Sequence, residues 1–415
     1  MGMNAALKAA GRHVCTADGK AVFLLCDTAW ELLHRMTAEE TAFYLDVRAR
    51  QGFNAFFTVI LAEHNGLTCP NAYGKLPLRV QDGGGFDPCD WEDGEGSYWA
   101  HTERVLQLAA DRGMYVGLLP CWGDKFHLGE GAGPEIFTVE NARAYGKKLA
   151  ERYGHHRHVF WILGGDRDVS KPEHRAVIRA FAAGIKAVQT QQMIGFHPPG
   201  TKSSSAYFPD EDWLDFHMLQ SGHGRDGLDN AAMVRQDYER YRIPVLDGEP
   251  RYEDHPIDFN PQEGFWTGDD ACRAGYEAVF SGAFGHVYGH NSVWCVRREK
   301  NDYYRHTWQE ALTRPGAERI GHLRRLMEAC DFSTLAPVRH GKGYWVLGRA
   351  DLTLVYIEAG AVFTPLLEEC RQAVYRRFDP ADGELTEAVP ADGRAFCAGG
   401  RDMVLQIVRG TVREP

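Results

Sequence analysis

The sequence is short of the features that mark several large classes of protein. No apolar run is long enough to cross a bilayer. The N-terminal MGMNAALKAAGRH holds a lysine but no apolar stretch of signal-peptide length, so export is not indicated. Cations are outnumbered: 46 Lys and Arg against 57 Asp and Glu leave a formal net charge of −11, which disfavours nucleic acid as a partner. Ten cysteines lie singly from Cys15 to Cys397 with no CxxC pair, the usage of reduced, mostly buried thiols in a cytoplasmic protein. A leader peptide already removed would leave the same sequence, and the protein would then be secreted. There is no GxSxG elbow, which weakens a serine-hydrolase reading. Nor does a Gly-rich phosphate loop follow an early strand: GGG at 83–85 lies in a long loop and opens no helix, against a doubly wound dinucleotide-binding sheet. Internal repeats and low-complexity tracts are missing as well.

What is present is a globular chain of 415 residues, 44% hydrophobic, longer than one compact domain usually holds. Its most informative stretch is VFWILGGDRD, Val159 to Asp168. Five apolar residues followed by two glycines read as a strand buried on both faces and a sharp exit from the sheet. PVLDGEP, Pro244 to Pro250, repeats the grammar with Glu249 at the strand end. Six further strands are expected: FLLCDTAW ending near Asp27, NAFFTVIL ending at Glu63-His64, YVGLLPCW, MIGFHP ending at His197, WLDFHMLQSG ending at Gln220, and FGHVYGH ending at His290-Asn291. Helices are expected from the Thr37-x-x-Glu40 capping box to Gly52, and over 98–112, 172–190, 230–242, 271–281 and 317–330, with another opening near Thr138. Asp18-Gly19 marks a hairpin before the first of these strands. Residues 65–97, rich in Gly, Pro, Asp and Asn, make a loop long enough to be a lid or cleft wall. The whole is an α/β pattern: a (β/α)8 TIM barrel over 1–332 with an N-terminal hairpin, then a small antiparallel β-sandwich over 333–415, where short β-rich runs are split by turns such as Asp382-Gly383.

Strand ends of such a barrel converge on one cavity, so the residues there are the candidates for chemistry. Asp166 ends the fourth strand and Glu249 the seventh, on opposite sides of the ring. Two carboxylates so placed suit glycoside hydrolysis, one protonating the leaving oxygen, the other attacking the anomeric carbon or activating water. The structural alternatives are a helix N-cap for Asp166, a task for which Asp168 competes, and a salt bridge to Arg251 for Glu249. Asp247, two residues earlier, is expected on the same side of its strand as Glu249, deeper in the barrel. Asp27, Glu63, His64, Asp124, His197, Gln220, His290 and Asn291 complete the polar rim, either as sugar-binding groups or as internal partners. Trp30, Trp122, Trp161 and Trp294 either stack on sugar or fill the core. His155-His156-Arg157-His158 precedes a strand and reads as a solvated turn at the opposite face. His286 and His290, four apart, would share one face of a strand. With His64 and His197 they admit a metal-dependent barrel hydrolase as a second reading, although Asp27-Thr28-Ala29-Trp30 stands where an HxH motif would be wanted after the first strand. A non-catalytic carbohydrate-binding barrel is the third, and it would have no need of the carboxylate pair. No cofactor or metal is called for by the two-carboxylate reading, and the partner is an oligosaccharide, neither nucleic acid nor membrane. The sequence sets no oligomeric state.

CDTAWELLHR, GFNAFFTVIL, VFWILGGDRD, GFHPPG, FHMLQSGH, DGEPRYED and YGHNSVW, in order over residues 10–330, together resemble the apiosidase-like glycoside hydrolases, glycoside hydrolase family 140, once classed only as a domain of unknown function. YRRFDPADGEL is similar to a motif of the C-terminal domain that often follows, one labelled a collagen-binding type. The resemblance implies a (β/α)8 barrel that cleaves plant cell-wall or related saccharides by a retaining double displacement, with Asp166 as general acid/base and Glu249 as nucleophile. Larger barrel-hydrolase relatives carry Asn-Glu after the fourth strand, where this chain has Gly165-Asp166. The family's opening motif often carries Gly where Cys26 stands here.

Overall fold

The computed structural model describes residues 5–188, 191–225, 229–367, 369–370, 373–391 and 394–409. The last two positions of the expected 172–190 helix and the extreme termini of the two expected domains lie outside the described residues.

The chain opens with a hairpin of β1 (Leu7–Ala10) and β2 (His13–Thr16). It turns at Gly11-Arg12. The expected turn at Asp18-Gly19 follows, its flanks paired antiparallel by the Cys15–Ala21 bridge, Thr16 N–H on Lys20 O at 2.9 Å and Val22 N–H on Val14 O at 3.0 Å. Eight parallel strands follow at the expected places: β3 (Leu24–Thr28), β4 (Ala55–Leu61), β5 (Tyr115–Cys121), β6 (Val159–Gly164), β7 (Ile194–His197), then, after the short β8 (Lys202–Ser203), β9 (His217–Gln220), β10 (Val245–Asp247) and β11 (Gly285–Tyr288). Two arcs, β11-β3-β4-β5-β6-β7 and β10-β9, make up the ring. They are joined by Asp215 N–H to Ile194 O at 2.8 Å and Phe284 N–H to Val245 O at 3.0 Å.

The outer layer is α1 (Leu32–Arg35) with α2 (Ala38–Arg50), α3 (Tyr98–Asp111), α4 (Val139–Tyr153), α5 (Pro172–Lys186), α6 (Asn230–Arg240), α7 (Gly268–Phe280), and α8 (Trp308–Ala311) with α9 (Pro315–Ala329). The capping boxes do what their spacing requires. Thr37 accepts from Glu40 N–H while Glu40 accepts from Thr37 N–H, and Thr138 and Asn141 repeat the exchange at α4. The fifth unit departs from the pattern. Between β7 and β9 there is only β8 and a 3-10 turn, Ser204–Ala206, and Pro198-Pro199, with no N–H to give, ends β7.

Side-chain alternation sorts each strand between two cores. Leu24 and Cys26 of β3 point into the ring beside Ala55, Phe57 and Val59 of β4 and Phe160 and Ile162 of β6, while Leu25, Phe56, Ile60 and Trp161 face the helices. The long loop 65–97 is held against the helices: Trp91 stacks on Trp99 of α3 with centroids 4.1 Å apart, and the Lys148 ammonium of α4 sits 3.4 Å from the Trp91 ring centroid.

After α9, β12 (Ala336–Gly341), β13 (Tyr344–Arg349), β14 (Leu352–Ile357), β16 (Ala373–Phe378), β17 (Leu385–Glu387) and β19 (Met403–Arg409) form one antiparallel sheet, with β15 (Val362–Phe363) and β18 (Phe396–Cys397) a small second one. Alternation again divides the labour. Val346, Val355 and Leu405 pack on Phe363 and Phe396 of the small sheet, while Leu354, Tyr356 and Val404 join the barrel's outer core. Tyr356 stacks on Tyr276 of α7 at 5.0 Å, and Arg273 of α7 pairs with Asp402 at 3.2 Å.

Candidate active site

Two glycine-dependent exits build the site. Past β6 the chain runs through Gly164 (φ 93°), Gly165 (φ 113°) and Asp166 (φ 55°), three successive left-handed residues. A Cβ on Gly164 would lie 2.5 Å from His197 O and one on Gly165 2.8 Å from Gly123 N, so only glycine fits either place. The turn delivers Asp166, whose main-chain nitrogen lies 3.3 Å from His197 Nδ1, a ring nitrogen that also faces Pro198 O at 3.0 Å. Past β10, Gly248 lies so close to Met218 that a Cβ would fall 1.8 Å from its Cε. Glu249 follows, its carbonyl fixed by Gly222 N–H at 2.9 Å.

Both carboxylates border one cavity of about 590 Å³. Of the residues expected there, Trp30, Glu63, His64, Trp122, Asp166, Gln220, Glu249 and Trp294 line it, joined by Thr201, Ser221, His223, Tyr252, His255, Phe259, Tyr303 and Tyr304. The carboxylate of Glu249 is gripped at both oxygens. His197 Nε2 approaches Oε2 at 3.0 Å and His223 Nε2 approaches Oε1 at 3.0 Å. A carboxylate can only accept, so both Nε2 atoms carry the proton they donate. Trp30 Nε1 donates to the Tyr252 hydroxyl at 3.0 Å, and the Tyr252 and His223 rings lie 4.4 Å apart. His255 stacks on His223 at 4.3 Å. Its Nδ1 faces Pro256 O at 2.7 Å, and its Nε2 lies 3.3 Å from the Tyr303 hydroxyl.

The two carboxyls are driven apart. Burial alone would raise Glu249, but the hydrogen bonds and charges of His197 and His223 outweigh it and bring its pKa down to about 2. Asp166 is pushed up to about 6, first by burial against the cavity wall and then by the charge of Glu249, with His197 and Arg167 opposing. Arg167 Nη2 pairs with Glu63 at 3.0 Å while its Nη1 holds Asp166 O at 2.8 Å. Glu63 is itself raised by burial. A carboxyl that keeps its proton to near-neutral pH beside one that stays ionised is the condition for acid–base and nucleophilic work in one site. Trp122 Nε1, Gln220 Oε1 and His223 Nδ1 are buried polar atoms with no hydrogen-bond partner among the described residues.

Comparison with known proteins agrees with this architecture. Residues 8–334 match the family described as "Apiosidase-like, catalytic domain". The chain belongs to the apiosidase-like family. A crystal structure of a glycoside hydrolase family 5 protein from Bacteroides vulgatus is 28% identical with a TM-score of 0.86, over 97% of this chain and 93% of that one. A second solved structure, named glycoside hydrolase, is 27% identical with a TM-score of 0.83 over 98% of both chains. An endo-1,4-beta-mannanase from Rhizomucor miehei, 10% identical with a TM-score of 0.55 over 78% of this chain and all of its own, shares the fold alone. No curated protein matches the sequence. This apiosidase-like chain is a glycoside hydrolase.

Several expected residues of the apiosidase-like site stand elsewhere. Asp27 is outward-facing on β3, one position from inward Cys26, and pairs with Arg48 of α2 at 2.6 Å and Tyr44 at 2.8 Å, fully buried and away from the cavity. His197 does not line the cavity but stands behind it, against the rings of Trp30 and Trp122 at 5.4 and 5.7 Å. His290 is buried against Asp254 at 3.1 Å, and Asn291 Nδ2 donates to the main-chain oxygen of Tyr303 at 2.8 Å. Asp247 does not share Glu249's side: it faces α6, bonded by Ser221 and Asn230, because β10 ends before Glu249 and the alternation stops with it. Trp161 is buried outside the ring, bonded to Gln192 at 2.7 Å. Asp124 is sealed in with Lys125 at 2.8 Å, and Asp168 takes Ser170 N–H and the Tyr207 hydroxyl. The helix cap proposed for Asp166 belongs to Lys171, and Arg251 pairs with Glu277 at 2.9 Å, not with Glu249. No residue beyond 64 in the long loop lines the cavity before Trp122; residues 65 and 69–72 border an adjoining groove that His64 shares.

Two groups have His and carboxylate atoms within 4.8 Å of one another among the described residues: Glu103 with His155 and His156, and Asp254 with His290 and His306. Neither lines the cavity, and Arg314 already occupies Asp254 at 2.8 Å. Among the described residues, the reading of a metal-dependent barrel hydrolase therefore has no compact ligand group at the cavity to build on. His223, Tyr252 and His255 went unread in the sequence because they lie in loops with no periodicity. Their only signal was membership of the runs FHMLQSGH and DGEPRYED.

Proposed function

We propose that the chain is a retaining glycoside hydrolase in which Glu249 is the nucleophile and Asp166 the general acid/base. The observation that carries this reading is the opposite displacement of two carboxyls facing one cavity. Glu249, held ionised by two imidazoles, attacks the anomeric carbon while Asp166 gives its proton to the leaving oxygen. Asp166, then ionised, takes a proton from water as that water releases the sugar from Glu249. The substrate is an oligosaccharide of plant cell-wall or related origin, as in the family the chain belongs to. A reducing compartment, the cytoplasm, is part of the proposal; ten free thiols, two of them exposed at Cys69 and Cys397, support it.

The test is the stereochemistry of the first product, read by NMR on a panel of aryl glycosides and pectin-derived oligosaccharides. Retention is expected, and prompt inversion refutes the double displacement. Glu249→Gln is expected to lose about 10⁴-fold or more in kcat with the fold intact, and full turnover in that variant would refute the nucleophile. Chelators are expected to leave the rate unchanged.

A further inference from the structure

We propose that Phe259 is a stacking platform for a second sugar unit at the mouth of the cavity, so that the substrate is an oligosaccharide recognised over at least two residues. This inference rests on the glycoside-hydrolase reading of the same cavity. Trp30 and Trp122 form its floor, 3% and 4% exposed, whereas Phe259 lines it while 61% exposed. A cavity of about 590 Å³ encloses more than one sugar ring.

The backbone presents this ring at a penalty. Phe259 sits at φ 59° directly after Asp258 at φ 53°, two successive residues in a conformation that a β-carbon disfavours and that Gly or Asn adopts without strain. The loop is locked there by Arg225 N–H on Asp258 Oδ1 at 2.7 Å, Phe259 N–H on Pro256 O at 3.1 Å and Asn260 N–H on Ile257 O at 3.0 Å. What the strain achieves is placement. The ring meets His255 at 90° with centroids 4.9 Å apart and His223 at 75° and 5.9 Å, the same imidazole that holds Glu249. An exposed aromatic forced into an unfavourable turn and braced upright beside the reacting carboxylate has no core to fill. Sugar rings offer an apolar C–H face that aromatic side chains cover.

The test compares wild type, Phe259→Gly and Phe259→Trp on an aryl monoglycoside and on an oligosaccharide that carries the same cleaved sugar. The ratio of kcat/KM for the longer over the shorter substrate is expected to fall about fivefold to tenfold in Phe259→Gly, mostly through KM, and to return in Phe259→Trp. The Tm of Phe259→Gly is expected to equal or exceed that of wild type, because glycine relieves the strained backbone. A ratio unchanged in Phe259→Gly, or a lowered Tm with equal loss on both substrates, would overturn the proposal. Calorimetry of the oligosaccharide with Glu249→Gln, alone and combined with Phe259→Gly, separates the two readings. Equal affinity in both proteins refutes the platform while the hydrolase reading stands. No hydrolysis by wild type and no binding by Glu249→Gln refutes both.

Discussion

Replacing Asp166 by Asn should destroy activity and yet stabilise the protein, and should do so only above mildly acidic pH. The carboxyl titrates at about 6 in the fold against an ordinary 3.8, because burial and the Glu249 charge oppose its ionised form. Below 3.8 both folded and unfolded chains hold the proton and the group contributes nothing to pH dependence. Between 3.8 and about 6 the unfolded chain releases the proton while the native one keeps it, so stability falls as pH rises. Above about 6 the native state carries the whole penalty. Taken at face value the displacement is worth about 3 kcal/mol. The side chain is 36% exposed, however, and solvent screening reduces this to about 1 kcal/mol. Asn removes the charge, tolerates φ 55° better than most residues, and leaves Arg167 bonded to Glu63 and to the main chain. The expected gain is a Tm higher by about 1–2 °C at pH 8 and indistinguishable from wild type near pH 4, read by scanning calorimetry. An equal or lower Tm at pH 8 would show that Asp166 is not held protonated, and the general acid would have to be sought elsewhere.

Other outcomes follow from the same geometry. The pH profile of kcat/KM should be bell-shaped, its basic limb near 6 from Asp166 and its acid limb near 2 from Glu249; a basic limb above 8 would exclude Asp166 as the acid. His223→Ala removes one of the two hydrogen bonds to Glu249 and should move the acid limb up by about one unit while lowering kcat, whereas an unmoved limb would show that the imidazole is only packing. Asp27→Ala should leave KM for sugars unchanged but destabilise the fold by about 3–5 kcal/mol in urea titrations, because Arg48 would be buried without its counter-charge; a raised KM with unchanged stability would return Asp27 to the site.

Much of the barrel could be read from residues alone. Eight short apolar runs with polar ends, separated by capped helical patterns, admit few closed arrangements, and β6 and β10 lie where VFWILGG and PVLDG place them. The helix missing between β7 and β9 was passed over by the expectation of eight regular units. Asp27 was misplaced for a different reason. A strand buried on both faces shows no alternation of polar and apolar residues, so nothing in FLLCDTAW says which of Cys26 and Asp27 points inward. Asp247 was misplaced because β10 ends at that residue, so the two-residue alternation does not carry on to Glu249. His223 and His255 depend on loop paths, which obey no period.

The sequence by itself determined which residues could do chemistry and roughly how far along the fold each one stands, because strand and helix periods are local and glycines mark where a strand must end. Only the tertiary structure decided the company each one keeps. Whether Asp27 meets Arg48 or a sugar turns on the register of β3 against its neighbours. That Glu249 is driven down turns on His197 at the end of β7 and His223 from the loop after β9, and that Asp166 is driven up turns on its burial and on the charge of Glu249. Burial and charge act through space over a few ångströms, and that distance bears no relation to separation along the chain.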